Sequence, residues 1–123
     1  MAVVIERLKR RPDFLRVANG RQKYVTPGLV LQMRQREDIP ATTARVGFTA
    51  TRKLGSAVIR NRARRRLREA ARTAMPDAAV AGCDYVLIAR AGTLTRPYPA
   101  LIQDLRTAVA ALAPRANQVR TGS

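Results

Sequence analysis

Hydrophobic and polar positions along the chain divide it into short strands and amphipathic helices. Pro12 opens a short helix that Gly20 closes, with Phe14 and Val17 on one side. The turn-forming pair Pro27-Gly28 leads into a strand from Leu29 to Met33. Glu37-Asp38-Ile39-Pro40 reads as an exposed loop. Val46, Phe48 and Ala50 then alternate with Gly47, Thr49 and Thr51, the pattern of a half-buried strand. Gly55 breaks that run, and Ser56 offers a side-chain oxygen to cap a following helix.

From Ala57 to Ala74 the period is helical. Ile59, Ala63, Leu67, Ala70 and Ala74 fall within a stripe roughly 80° wide at about 100° per residue. Arg60, Arg62, Arg64, Arg65, Arg66, Arg68 and Arg72 fill the remaining circumference, with Glu69 as local compensation. Like charges at these spacings repel, so the helix gains nothing internally from them. Pro76 begins a linker of small residues. Tyr85-Val86-Leu87-Ile88-Ala89 reads as a central strand. Pro97 and Pro99 precede a last helix with Leu101, Leu105, Ala108 and Leu112 on one face, ended by Pro114. The predicted order is α-β-β-α-β-α, a small α/β or α+β fold with one mixed sheet covered by helices. One domain over residues 1–123 is expected, with residues 1–8 and 115–123 as flexible termini.

Composition sharpens this picture. The 123 residues carry 24 Lys+Arg against 8 Asp+Glu, a formal net charge of +16. Residues 45–72 hold +9 of it, so over half the charge sits in under a quarter of the chain. Such an excess calls for a polyanionic partner, nucleic acid first. Twenty-one of the 24 cations are Arg, whose planar fork suits phosphate. The chain contains no His, which excludes His general bases, His metal sites and Ser-His or Cys-His nucleophiles. The single Cys83 cannot form an intrachain disulfide or a zinc site, and reads as a small buried residue. Asp13, Asp77, Asp84 and Asp104 are too scattered to suggest a metal cluster. The apolar runs are too short for a membrane span, and no signal-peptide pattern opens the chain, so a cytoplasmic location is expected.

The segment from Arg52 to Arg68 is the specific signal. A basic pair, Arg52-Lys53, precedes Leu54-Gly55-Ser56-Ala57, and Arg60-Asn61-Arg62 leads further basic residues along one helix. This resembles the signature of the bacterial ribonuclease P protein component. Asp13-Phe14 is similar to that family's first helix, Arg45-Val46-Gly47-Phe48 to the strand before the signature, and Asp84 to Arg90 to the strand after it. The resemblance implies a two-layer sandwich with a left-handed β-α-β crossover. It implies a protein that binds a catalytic RNA, one RNA to one protein, and assists removal of the 5′ leader from precursor tRNA. The RNA carries the chemistry, with magnesium held mainly by RNA and none by the protein alone. On this resemblance Arg52, Lys53, Arg60, Asn61, Arg62, Arg65 and Arg68 meet the catalytic RNA, while Asn61 also suits a local structural role. Phe14, Val17, Gln32 and Phe48 are the expected leader cleft, with Phe48 also suited to the core. Ala18 and Gln32 stand where the family often has aromatics, so Gln32, Arg16 or Arg34 would substitute for stacking. No catalytic residue is expected. The rival readings are a basic ribosomal or other structural RNA-binding protein, a protein-only nuclease and a duplex DNA-binding protein.

Overall fold

The longest apolar run becomes the middle of the sheet. The computed structural model describes residues 3–36 and 42–114. Strand β1 is Val4–Arg7, helix α1 Arg11–Asn19, β2 Lys23–Val25, β3 Leu29–Gln35 and β4 Thr43–Thr49. A 3-10 turn at Arg52–Leu54 leads into α2, Ala57–Ala78, followed by β5 Cys83–Ala89, α3 Ala91–Thr95 and α4 Tyr98–Ala111. The sheet order is β1-β4-β5-β3-β2. β5 lies parallel to β4 and antiparallel to β3, while β1 runs parallel to β4 and β2 antiparallel to β3. The fold is α+β, a five-stranded mixed sheet packed against helices.

Period-2 alternation assigns each strand two faces. On one, Leu29, Leu31, Met33, Val46, Tyr85 and Leu87 are buried against Ala63, Leu67, Ala70 and Ala74 of α2 and Leu101 and Leu105 of α4. Each large aliphatic side chain buried there contributes about 1.5–3 kcal/mol. The alanines of α2 contribute little area, but their small size lets a long helix lie close to the sheet. On the other face Val86 packs with Leu8 and Val17, joined by Phe14 and Ile88. The sheet and the α2–α4 pair form two layers, and α1 adds cover on the second face.

Several expectations need correction. Val4–Arg7, assigned to a flexible terminus, pairs with β4 from Val4↔Thr43 to Arg7↔Val46. β2 and α3 were not expected at all. The strand expected from Val46 begins at Thr43 and ends at Thr49. Pro76 lies inside α2, which continues to Ala78. Pro99 belongs to the first turn of α4, where a missing N–H costs nothing. Gly20 caps α1 in a right-handed conformation, and the left-handed residue is Arg21, at φ 60°. Ile59 stands 38% exposed, in the first turn of α2 beside Gly55. The loop 37–40 and the tail 115–123 lie outside the described residues.

Candidate nucleic-acid interface

The arginine helix is placed by its start. Gly55 adopts φ 149°, a conformation side chains rarely take, and a Cβ there would press on Ile59. Ser56 then accepts a hydrogen bond from the Ile59 N–H at 3.3 Å, capping α2 as its sequence predicts. The 3-10 turn packs against α2 and leaves Arg52 and Lys53 exposed beside its first residues. Leu67, Ala63, Ala70 and Ala74 anchor the buried stripe, which sends Asn61, Arg62, Arg65 and Arg72 outward.

The arginines of α2 divide into two groups. Arg62 and Arg65 are exposed and make no ion pair among the described residues; Arg60 and Arg68 are half-buried and likewise unpaired. The Nε of Arg60 is buried without a hydrogen-bond partner. Arg64 instead donates to the Asn61 amide oxygen, Arg72 donates to Glu69 at 2.9 Å, and Arg66 donates to the Arg96 carbonyl. Arg66 is therefore a structural tie between α2 and the α3–α4 corner. Asn61 serves the helix surface locally, one of the two roles its sequence position suggested.

The second candidate surface lies around α1. Phe14 presses on β4, where a Cβ on Gly47 would stand 2.5 Å from its ring. Gln32, Val86 and Gly47 are register partners across three strands, so they lie on the same sheet face. Val17 shares that face but is fully buried, which removes it from any surface that meets a ligand. Its role is to seat α1. Phe48 belongs to the opposite face and packs against the α2 core. It reaches the rim of a small pocket of about 310 Å3 whose other walls include Lys9 and Phe14. Lys9 and Arg10, which sequence reading passed over, flank this region because β1 carries the chain to the N-terminus of α1.

A buried ion network holds that face in shape. Asp84 is 1% exposed and accepts from Arg36 at 2.8 Å and from both ends of the Arg45 fork at 2.8 and 2.6 Å. Arg45 also reaches Asp13 at 3.5 Å, and Arg16 bonds Asp13 at 2.7 Å. Arg96 forks onto Asp104 at 2.9 and 2.8 Å, which holds its guanidinium above the ordinary arginine range. Asp13, Asp84 and Asp104 thus spend their charge on arginine and do not fit a magnesium site. The described residues contain no cluster of three metal-ligating side chains. Burial pushes the Cys83 thiol up, which leaves it a poor nucleophile. The unpaired arginines of α2 present positive charge of the kind that suits a polyanion.

Comparison with known proteins agrees. The family model for Ribonuclease P matches residues 4–113. A ribonuclease P protein component of Paramagnetospirillum magneticum is 53% identical over 111 residues, spanning 89% of this chain and 84% of that protein. One from Caulobacter vibrioides is 54% identical over 109 residues, spanning 88% and 71%. The RNase P protein from Thermotoga maritima shares the fold with a TM-score of 0.67 at 26% identity, covering 87% of this chain and 94% of that one. The Staphylococcus aureus RNase P protein gives 0.69 at 22% identity, with the same coverage. The match spans the whole described fold, including the arginine helix between two adjacent parallel strands, and the chain belongs to the bacterial ribonuclease P protein component family.

Proposed function

We propose that α2 and the turn before it grip the catalytic RNA of ribonuclease P, while the face around α1 receives the 5′ leader of precursor tRNA. The chain is the protein subunit of this tRNA-processing ribonucleoprotein. The observation that carries the RNA assignment is the set of arginines without ion-pair partners, Arg60, Arg62, Arg65 and Arg68, on a helix whose other side is anchored in the core. Arg52 and Lys53 extend the same basic surface. Each unpaired guanidinium presents a fork to a phosphate, and an RNA backbone supplies the missing negative charge.

The leader surface is built from Phe14, which offers one stacking plane, and Gln32, which offers hydrogen bonds to base edges. Lys9 and Arg10 supply charge at its entrance. Phe48 borders this surface at its rim, and buried Val17 seats α1 beneath it. The protein positions substrate in the cytoplasm, and the RNA performs hydrolysis with magnesium that the RNA holds. One RNA and one protein make the working unit, with residues 1–123 acting as one domain.

Reconstitution tests this directly. Adding the protein to its cognate catalytic RNA at low magnesium should accelerate cleavage of a precursor tRNA. Absence of acceleration, with the protein folded, would restore the reading of a ribosomal RNA-binding protein.

A further inference from the structure

Between β1 and α2, on the sheet face opposite α1, lies an open crevice of about 370 Å3. That volume lies within the roughly 300–1,000 Å3 typical of ligand pockets. Its floor is apolar, formed by Ile5, Val46, Phe48 and Ala71, and its rim carries Arg7, Arg68 and Arg72. Glu6 is the rim's carboxylate and already accepts from the Thr43 hydroxyl at 3.3 Å. Arg7 and Arg68 make no ion pair among the described residues.

Pro76 adds an unusual feature. Arg68, Arg72 and Pro76 follow each other at four-residue spacing along the wall. A residue at 76 would ordinarily donate its N–H to the Arg72 carbonyl, but proline has none. α2 continues past this gap to Ala78, and the Pro76 carbonyl accepts from the Val3 N–H at 2.8 Å. The helix wall of the crevice is thus held in place past its proline.

We propose that this crevice takes one unpaired nucleotide of the catalytic RNA, its base against Phe48 and its phosphate on Arg7 and Arg68. The inference rests on the assignment of α2 to the catalytic RNA. It follows from continuity: Arg68 belongs both to that basic surface and to this rim. An apolar floor beneath two guanidiniums without ion-pair partners matches a flat base joined to a phosphate better than it matches a peptide, and the rim's net positive charge disfavours a basic partner.

Chemical probing of base edges in the catalytic RNA, with the full chain bound and no precursor tRNA present, tests this. Wild type should protect one unpaired base next to the α2 footprint. Phe48→Leu, which keeps apolar bulk without a stacking plane, should expose that base and leave the neighbouring backbone footprint. Affinity should fall about five- to tenfold for Phe48→Leu, as expected for one lost base–aromatic stack. Circular dichroism and Tm confirm that the variant is folded. A wild-type backbone footprint with no protected base, or a base equally protected in folded Phe48→Leu, would overturn the proposal alone. No footprint on α2 in wild type would overturn the catalytic-RNA reading as well. Protection of a leader base instead, once precursor tRNA is added, would reassign the crevice and also overturn the proposal.

Discussion

Gly47 and Phe14 form a pair in which each explains the other. Without a Cβ, β4 lets the Phe14 ring reach its backbone, and the ring fills space that a side chain would have taken. Phe14 is half-buried, so part of it remains available for a base. Phe14→Ala should weaken binding of leader-bearing precursor tRNA by about 1–3 kcal/mol. A titration against leaderless tRNA is the control: equal loss there would mean that α1 has merely loosened. Tyr85 makes a different residue-scale prediction. It is buried in the core, and its hydroxyl accepts a hydrogen bond from the Val80 N–H at 3.0 Å. Burial raises its pKa from 10.0, and burial also raises that of Cys83 from 9.0. Both groups stay neutral in the fold at pH values where the unfolded chain ionises them. Their stabilisation is therefore complete below about pH 9 and declines as pH rises beyond it, by at most about 1.4 kcal/mol per group and pH unit. Tm measured against pH should fall on the alkaline side, and Tyr85→Phe should flatten that fall. An unchanged profile in the variant would contradict the assignment.

Among the elements, α2 and β5 were legible in the chain and β1 and β2 were not, for physical reasons. α2 declares itself through a cap at Ser56 and a stripe from Ala63 to Ala74, and β5 through an unbroken apolar run. β1 and β2 are short edge strands of four and three residues, mostly exposed, with no buried alternation to announce them. Pro76 misled because a proline in the last turn of a helix removes one bond without forcing the chain to leave it. Of the candidate site, the basic helix was readable from charge spacing. The burial of Val17, the tie from Arg66 to Arg96 and the side of the sheet taken by Phe48 depend on packing that one-dimensional spacing does not encode. Asp84 decides how the elements stay together. From β5 it holds Arg45 of β4 and Arg36 beyond β3. Asp84→Asn removes the buried carboxylate that Arg36 and Arg45 share, with an expected cost of about 3 kcal/mol. Thermal unfolding should show Tm lower by about 10 °C; a shift under a couple of degrees would show that the network contributes little.

For the whole molecule, a net charge of +16 works against folding and for RNA capture. The fold separates the two demands. Carboxylates are drawn inward to pair Arg16, Arg36, Arg45 and Arg96, while the exposed arginines of α2 are left for a partner. In the function proposed above, two opposed faces serve two nucleic acids from one small sheet. The measurement that reaches this claim most directly is the salt dependence of binding to the cognate catalytic RNA, for wild type and for Arg62→Ala, Arg65→Ala and Arg68→Ala combined. Each lost phosphate contact lowers the slope of log affinity against log salt by about one, so the triple variant should be flatter by about 2–3 units. A folded triple variant whose slope matches wild type would show that this helix face meets only water.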